Sequence, residues 1–331
     1  MDARDAERLP AGVKAGYALG DHAVNVQLAA TSLFYLFFLT EVAGLRPALA
    51  GLVLLVGRAF DAVSDPVMGR VSDRTPWRAG RRRPWLRIGA LPFGVTFAAL
   101  WMQLPFEAET ARFAAYAGLY VLNTLFSTVL AVPYMALLPE MARSYQERTS
   151  ANTYRTVGVV LAVLATAVGV RPLVALLGGG AQGWAGAGIV LGVWVALPWI
   201  VVDRVSFERP SAEPTAPTAP VGFVAGLRRL ARHRAYRRLC GLFLAGRIAV
   251  DVVGAMLIFY FTYWLGRDDQ FPLALGLMLG MVALTLPLWL RISTGFDKRT
   301  LFVAGAAWWI AVQGGLFFVH PEHPDWLPIL L

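Results

Sequence analysis

GRAFDAVSDPVMGRVSDRTPWRAGRRRPW, residues 57–85, ends an apolar run and leads into a strongly basic loop, a combination that indicates the class of the fold. The run begins near residue 47 and is long enough to cross a bilayer, yet it contains Arg58, Asp61 and Asp65. Each such charge at the centre of a membrane helix opposes insertion by ~2.5–3.5 kcal/mol. We therefore expect these charges to face a protein interior or an aqueous cavity.

Outward from this stretch, apolar runs of ~20 residues recur along the chain. The chain has 331 residues, of which 57% are hydrophobic and only 15% charged, less charge than a soluble domain of this length carries. The fold class that we predict is an all-α polytopic membrane protein with nine complete helices and the start of a tenth in DWLPILL, 325–331. The predicted helices lie near 15–40, 47–69, 84–104, 112–138, 154–176, 183–202, 239–265, 271–291 and 300–319.

The distribution of Lys and Arg predicts the orientation, because cytoplasmic loops retain positive charge. With a cytoplasmic N-terminus, 23 of the 30 Lys and Arg fall in cytoplasmic segments. The net charge of +9 is then a topology signal with some attraction to anionic lipid at the cytoplasmic face, and it does not indicate nucleic-acid binding. The single cysteine, Cys240, excludes an internal disulfide and a cysteine-based metal site.

A proline-rich segment divides the chain. SFERPSAEPTAPTAP, 206–220, has four prolines and no apolar periodicity, which is typical of a flexible linker. Basic and apolar residues then alternate at near-helical spacing in 221–239, a pattern that suits either an amphipathic segment on the inner leaflet or a solvated connector. We predict a six-helix bundle at 1–205, a cytoplasmic linker at 206–238 and an incomplete second bundle at 239–331.

Two six-helix halves joined by a long cytoplasmic linker are the architecture of major facilitator transporters. The loop GFDKR, 295–299, repeats in the second half the Asp-bearing basic loop that follows the second predicted helix. Six helices after the linker would require about 100 more residues, at ~25–30 for each helix and loop. We therefore expect either a truncated chain or a naturally shortened variant of this fold.

The charged helix carries a cluster of oxygen atoms. Asp61 and Asp65 are four residues apart, so their carboxylates lie on one helix face. Pro66 frees a backbone carbonyl one turn back, and Ser64 adds a hydroxyl. Such a cluster suits a hard cation such as Na⁺. The alternative is a structural network in which Arg58 neutralises one carboxylate and the other is protonated.

Four motifs in a consistent order resemble the glycoside–pentoside–hexuronide:cation symporter family, the melibiose permease-like sodium:galactoside symporters of the major facilitator superfamily. The first is the opening stretch, and the resemblance covers the chain from Lys14 onward. The other three are GYALGDHAVNV…FYLFFLTEVAGL in the first helix, VPYMALLPEMA…ERTSANTYR from the fourth helix to the fifth, and IFYFTYWLGRDDQFP from the seventh to the eighth.

The resemblance implies cation-coupled uptake of a small solute by alternating access. It carries the family's cation site onto Asp61, Ser64 and Asp65, with a hydroxyl from Thr128 on the fourth helix. Na⁺ at Asp61 and Asp65 is the expected occupant, with Li⁺ or H⁺ as the other coupling cations, and no organic cofactor is expected. Arg58 matches the arginine that holds the Asp pair and the gating network.

The resemblance is weaker for substrate recognition. Sugar-transporting relatives grip hydroxyl groups with two acidic residues, at positions that hold Asn25 and Ala131 here, and Met135 stands where an aromatic platform is expected. The residues that we assign to the substrate are therefore Asn25, Asp21 one turn before it, and Arg155, which matches an arginine of the substrate path. Hydration at a helix end is the alternative for Asp21.

Further charged residues are assigned to gating and ion pairs. Arg247 and Asp251 are four residues apart and predict an ion pair within the seventh helix that is structural or gating in role. By analogy with facilitator-type proteins, loop residues after the second helix bridge to the opposite half and stabilise the outward-facing state. These loop residues are Asp73, Arg74, Arg81 and Arg82.

The sequence therefore predicts a cation-coupled symporter of a sugar or glycoside. Its predicted location is a bacterial-type inner membrane, where it is multi-pass and monomeric. Two alternatives stay open: a transport-incompetent fragment, sensor or assembly protein on this scaffold, or a symporter of an anionic or amphipathic solute such as a uronate or a lysolipid. An enzyme is not expected, because the four histidines have no zinc-ligand spacing and no nucleophile motif occurs.

Overall fold

Nine helices make up the described chain. The computed structural model describes residues 8–75, 77, 80–142, 144–208, 232–292, 298–316 and 318–319. Within these ranges there is no β-strand, so the all-α prediction is confirmed, and residues 325–331 lie outside them. The helices are α1 (Ala11–Ala30), α2 (Pro47–Arg74), α3 (Arg83–Ala99), α4 (Glu109–Met141), α5 (Tyr145–Leu176), α6 (Gly180–Val205), α7 (Arg234–Phe259), α8 (Phe271–Ile292) and α9 (Lys298–Leu316).

Five helical segments are long and apolar enough to cross a membrane by length and composition. A helix satisfies its own backbone hydrogen bonds, which is what a spanning segment needs in a medium without water. The chain is accordingly a multi-pass membrane protein. The five segments are Pro47–Arg74, Glu109–Met141, Tyr145–Leu176, Gly180–Val205 and Arg234–Trp264.

Helix α5 begins earlier than the predicted residue 154. Ser144 caps it, since its hydroxyl accepts a hydrogen bond from the backbone N–H of Glu147 at 3.2 Å. Ser and Glu at this spacing form the capping-box pattern. The prediction was wrong at this end because it followed apolar residues, whereas the first turns of α5 are polar.

Helix α1 continues beyond Ala30 through two π-helical turns, Thr31–Tyr35 and Phe38–Val42. A π turn holds more residues than an α turn and so shifts the register of those that follow. Phe34, Tyr35 and Phe38 are consequently all fully buried. Helix α7 likewise continues through a π turn at Tyr260–Trp264.

Helix α1 has a central place in the packing. It lies against α5 and α6, while α3 packs on α4 and α6, and α2 packs on α4. Among the later helices, α8 contacts α5, and α7 contacts the first π turn that follows α1. Most of the predicted linker, 209–231, lies outside the described residues. The division into three parts therefore stays a prediction.

Aromatic side chains fill one end of the core. Trp101 and Trp184 stack with ring centroids 5.3 Å apart, and Phe38 meets both rings edge-on. Tyr116 in turn contacts Phe38 at 6.1 Å, and all four side chains are buried. These large rings join α1, α3, α4 and α6 by direct packing, which is the main attraction between helices in a lipid environment.

Small residues bring α3 and α6 into backbone contact. A Cβ atom at Gly94 would lie 2.6 Å from the carbonyl oxygen of Gly192, and one at Gly192 would lie 2.5 Å from that of Gly94. Real Cβ atoms do not approach so closely, so neither helix can accept a side chain there without moving. Glycine at both positions therefore sets the distance between the two helices.

Replacing Gly94 with Ala tests this contact. We expect Gly94→Ala to destabilise the protein by ~1–3 kcal/mol, because an added methyl group forces two backbones apart. The measurement is thermal unfolding of the purified protein in detergent. The control is Gly118→Ala on α4, where a Cβ meets no atom within 4 Å. Equal unfolding temperatures for the two variants would contradict the close-contact interpretation.

Candidate functional site

The charged part of α2 is held against α4 by small residues. A Cβ at Gly57 would overlap the ring of Tyr120, so glycine lets the two helices approach there. About three turns further along α2, Gly69 lies against Val132 of α4. Between these two points α2 follows α4 closely. The segment with Asp61 and Asp65 therefore lies beside the middle of α4.

One hydroxyl group on α4 meets both carboxylates of α2. Thr128 Oγ1 lies 3.2 Å from Asp61 Oδ1 and 2.9 Å from Asp65 Oδ1. Ser64 Oγ is 3.2 Å from the same Thr128 oxygen. Thr128 and Ser64 are buried, whereas Asp61 is half-buried and Asp65 is exposed. The four residues predicted to bind the cation thus lie together.

This oxygen cluster has more acceptors than donors. A hydroxyl has one proton, so Thr128 donates to only one carboxylate at a time. Ser64 can donate to the backbone carbonyl of Asp61, 3.3 Å away, which leaves the carboxylates without its help. Two carboxylates this close repel each other, and a bound cation or a proton relieves the repulsion. The arrangement is therefore suited to holding a small hard cation.

Arg58 forms no ion pair with Asp61 or Asp65, the contact through which it would neutralise one carboxylate in the structural alternative. Its side chain is exposed, and no carboxylate oxygen of the described residues lies within 4.0 Å of it. The Asp61 carboxylate instead points toward α4, where Thr128 contacts it. Spacing alone places Arg58 and Asp61 on neighbouring turns, but the direction of the carboxylate depends on the packing of α2 against α4.

Asp21 and Arg155 form an ion pair between α1 and α5. Arg155 Nε lies 2.5 Å from Asp21 Oδ2, and Nη2 lies 3.0 Å from Oδ1, which is the two-pronged geometry that arginine favours. Tyr134 of α4 donates its hydroxyl proton to Asp21 Oδ2 at 2.5 Å. Each carboxylate oxygen of Asp21 therefore has a protein partner, and the two predicted substrate residues contact each other.

Two tyrosines lock α1 to α4 next to this pair. The Tyr17 hydroxyl donates to the carbonyl of Tyr134 at 2.5 Å, and the Tyr134 hydroxyl lies 2.9 Å from the carbonyl of Tyr17. Their rings stack with centroids 4.4 Å apart. The Asp21–Arg155 ion pair therefore lies in a rigid frame made by three helices, and not at a hydrated helix end.

His22 joins α1 to two other helices. Its Nδ1 lies 3.1 Å from the carbonyl oxygen of Gly158 on α5, and its Nε2 lies 3.1 Å from the indole nitrogen of Trp194 on α6. An indole N–H only donates, so Nε2 must accept and Nδ1 must donate. These two contacts place a ring proton on Nδ1 and hold the imidazole between α5 and α6.

A buried amide network was missed by the sequence reasoning. Gln27 of α1 donates to Asn123 Oδ1 on α4 at 2.8 Å and accepts from Ser127 at 2.9 Å. Asn123 in turn donates to Thr96 Oγ1 on α3 at 3.1 Å. Gln and Asn within apolar runs are the signal that could have found it, since polar residues there need partners inside the protein.

A cavity of about 330 Å³ lies between α1 and the later helices. Helices α1, α5, α7, α8 and α9 supply its lining, together with the π turn at Tyr260–Trp264. Most of the lining is apolar, and its polar members are few. These are Asn25, Ser32, Arg247, Asp251 and Gln313.

The predicted Arg247–Asp251 ion pair is present on the wall of this cavity. Arg247 Nη2 lies 2.9 Å from Asp251 Oδ1, and Nε lies 3.0 Å from Oδ2. Asn25 also faces the cavity and donates its Nδ2 hydrogen to the carbonyl of Asp21 at 2.8 Å. Of the three predicted substrate residues, Asn25 lines the cavity, whereas Asp21 and Arg155 do not.

The basic loop after α2 is tied to its own half of the chain. Arg82 contacts Asp73 at 2.6 Å and Glu140 of α4 at 2.7 Å, and Arg81 also pairs with Glu140. These contacts differ from the expected bridge to the opposite half, because Glu140 lies within reach on α4. Arg74 lines a separate cavity at the end of α2.

Glu208 is a second anchor of this loop that the sequence reasoning missed. Its carboxylate accepts hydrogen bonds from the backbone N–H groups of Arg81, Arg82 and Arg83 at 3.0, 2.9 and 3.1 Å. A carboxylate at the start of α3 also interacts favourably with the helix dipole. The first residues of the predicted linker therefore hold the loop and are not a free connector.

The sequence profile of the family described as MFS/sugar transport protein matches residues 16–330 of the chain. The chain is also similar to the Inner membrane symporter YicJ of Escherichia coli, at 32% identity over 78% of the chain and 55% of the relative. The Putative glycoside/cation symporter YagG of the same organism is 31% identical over 94% of the chain and 67% of that protein.

A vertebrate protein is similar to the chain at a comparable sequence identity. The Sodium-dependent lysophosphatidylcholine symporter 1 of Gallus gallus is 30% identical over 90% of the chain and 62% of its own length. The chain therefore spans between about half and two thirds of the length of these three relatives. Each of the three is named as a symporter, and none as an enzyme.

The Asp21–Arg155 pair gives a prediction about stability. We expect Asp21→Asn to destabilise the protein by ~3 kcal/mol, because it leaves Arg155 without a counter-charge in a largely buried place. Asp21→Asn combined with Arg155→Gln should cost less than the two single changes added together, since no lone charge remains. Thermal unfolding of the four proteins in detergent measures this. Additive effects would show that the pair is not coupled.

Proposed function

Because the chain belongs to the MFS/sugar transport family, we propose that it is a secondary active transporter that couples movement of a small solute to a cation. This family places the chain among transport proteins and not among enzymes. The observation that carries the proposal is the oxygen cluster in which Thr128 meets the carboxylates of Asp61 and Asp65. Na⁺ is the proposed occupant, with Li⁺ or H⁺ as the other candidates.

The proposed mechanism begins when a bound cation relieves the repulsion between the carboxylates of Asp61 and Asp65. A cation between Asp61 and Asp65 neutralises charge beside α4 and lets α2 and α4 pack closely. Helix α4 is joined to α1 through Ser127 and Gln27, and α1 carries Asn25 into the cavity. Cation binding can therefore favour one arrangement of α1 against the later helices. Alternating access requires the cation to bind the two arrangements with unequal affinity, because a ligand shifts an equilibrium only toward the state that it binds more tightly.

The solute that we propose is a sugar or glycoside bound in the 330 Å³ cavity. Asn25 and Gln313 offer amide donors and acceptors for hydroxyl groups, and Asp251 offers a carboxylate held by Arg247. The description of the family and the name of the glycoside/cation relative support this class. Asp21 and Arg155 contribute indirectly, by fixing α1 through their ion pair.

An amphipathic solute is the second candidate, favoured by the apolar lining of the cavity. Leu33, Leu257 and Phe261 lie near the Arg247–Asp251 pair, so an apolar body and a charged head group could bind side by side. One relative is named as a lysophosphatidylcholine symporter. The location that we propose for the protein is a bacterial inner membrane, with the N-terminus in the cytoplasm, as a monomer in contact with anionic lipid.

Thr128→Val tests the cation site without altering either carboxylate. We expect Na⁺ to stabilise the unchanged protein by ~2.7 kcal/mol at 100 times its dissociation constant. The variant should bind Na⁺ roughly tenfold more weakly, since it loses one polar ligand. The matched control is Thr124→Val, one turn earlier on α4, also buried and lying beside Gly57. Thermal unfolding as a function of Na⁺ and Li⁺ concentration measures the affinity.

Two results separate the remaining possibilities. Identical Na⁺ dependence in the two valine variants would overturn the assigned cation site. Na⁺ binding without Na⁺-driven uptake in proteoliposomes would instead support a sensor or assembly role on the same scaffold. Chloride salts of choline at equal ionic strength control for general salt effects.

Asn25→Ala tests the solute cavity. We expect this variant to weaken solute binding about tenfold through the lost hydrogen bonds, and to leave Na⁺ affinity nearly unchanged. The measurement is a thermal-shift panel of glycosides, uronates and lysolipids with and without Na⁺. A parallel loss of Na⁺ affinity and folding stability would indicate a structural role for Asn25 in place of a solute contact.

A further inference from the structure

Helix α1 carries two amide side chains that point in opposite directions. Asn25 lines the cavity between α1 and the later helices, whereas Gln27 is only 7% exposed and faces α4. Two residues correspond to about 200° of rotation around an α-helix, which places the two amides on opposite faces. Asn25 donates to the carbonyl of Asp21, one turn earlier on the same helix, at 2.8 Å. Any displacement of α1 therefore carries the Asn25 side chain with it.

Two neighbouring residues of α4 contact the cation cluster and α1. Thr128 meets the carboxylates of α2, and Ser127, which precedes it, donates its hydroxyl proton to Gln27 Oε1 at 2.9 Å. Adjacent residues of a helix are about 100° apart, so these two hydroxyl groups face different helices from one short piece of backbone. A shift of α4 that moves Thr128 must also move Ser127. The Ser127–Gln27 hydrogen bond therefore links α1 to the part of α4 that contacts the cluster.

The hydrogen bonds of Gln27 have a fixed direction. The carbonyl of Phe93 on α3 can only accept, so Asn123 presents its NH₂ group to that carbonyl, at 3.3 Å, and its Oδ1 to Gln27. Gln27 then donates to Asn123 Oδ1 at 2.8 Å and accepts from Ser127 through its own oxygen. Turning the Gln27 amide around would set two acceptor oxygens against each other. The network therefore holds Gln27 in a single orientation.

Hydrogen bonds join α1 to α4 at two levels. Near the start of α1, Tyr17 and Tyr134 stack and bond to each other's backbone carbonyls. Gln27 lies about 15 Å further along the axis of α1, and Asn25 is close to this second level.

Elsewhere α1 packs mainly on α5 and α6, and α4 touches it at fewer places. A displacement of α4 at Ser127 therefore acts on α1 close to Asn25, while the two tyrosines hold the other end of the helix.

We propose that Gln27 is a positioning residue that transmits the occupancy of the cation cluster to Asn25 in the cavity. The proposal rests on the function proposed above, because it takes a cation at Asp61 and Asp65 as its starting point. A bound cation draws both carboxylates together and fixes the position of α4 through Thr128. Gln27 passes that position to α1, so the cavity differs between the occupied and the empty cluster. Without the amide, Na⁺ still binds, but the cavity no longer responds to it.

The test follows the reactivity of a thiol on the cavity wall. Ser32→Cys, in a chain that also carries Cys240→Ser, places one thiol in the lining just beyond the end of α1. The measurement is the rate at which N-ethylmaleimide alkylates this thiol in the purified full chain, in NaCl or in choline chloride at equal ionic strength. We expect Na⁺ to change this rate about fivefold or more, the lower end of the usual coupling between two sites. Gln27→Leu, which removes the amide, should abolish the change while Na⁺ still raises the unfolding temperature.

Milder variants and a control keep the test independent of misfolding. Ser127→Ala removes only the donor of the link and should also abolish the Na⁺ response, whereas Ser127→Thr keeps the hydroxyl and should restore most of it. The matched control is Thr166→Val on α5, because its hydroxyl is buried and has no hydrogen-bond partner among the described residues. This control should keep the full Na⁺ response.

Three results would overturn the role of Gln27. A Na⁺ response that persists in both Gln27→Leu and Ser127→Ala, even with a lower unfolding temperature, would make the amide purely structural. An alkylation rate that ignores Na⁺ in the Ser32→Cys protein, although Na⁺ raises its unfolding temperature, would show that the cluster does not act on the cavity. If neither Na⁺ nor Li⁺ raises the unfolding temperature of the unchanged chain, the cation site itself fails and the role of Gln27 fails with it.

Discussion

A charged or polar side chain inside a membrane must find its partners within the protein, because lipid offers no hydrogen bonds and no counter-charge. In this chain the constraint is met by helix α1. Its side chains supply the carboxylate that pairs with Arg155, the imidazole that joins α5 and α6, and the amide that reaches Asn123. The first six helices are therefore held by specific polar contacts as well as by packing.

The oxygen cluster of Asp61, Asp65, Ser64 and Thr128 has fewer protein partners for its carboxylates. Asp21 has a protein partner for each carboxylate oxygen, whereas Asp61 and Asp65 share one hydroxyl between them. A structural ion pair needs no further ligand, but two carboxylates around one donor do. This contrast between two acidic sites of the same bundle is the physical basis for proposing the cation site on α2 and not on α1.

The two cavities differ in the residues that line them. The cavity between α1 and the later helices holds a closed ion pair, Arg247 with Asp251, so the charges of these two lining residues are balanced. The cavity at the end of α2 is lined by two arginines and two tryptophans.

From the sequence alone follow the all-α class, the nine α-helices within the described residues, and the placement of Asp61 with Asp65 and of Arg247 with Asp251 on shared helix faces. Apolar length sets a spanning helix, and a spacing of four residues sets a shared face, so both are local properties. Only the tertiary structure decided which distant groups meet. Asp21 and Arg155 are 134 residues apart, and Gln27 and Asn123 are 96 apart. Their contacts depend on how each helix is rotated against its neighbours. The packing of residues such as Gly94 and Gly192 sets this rotation, and no local sequence pattern predicts it.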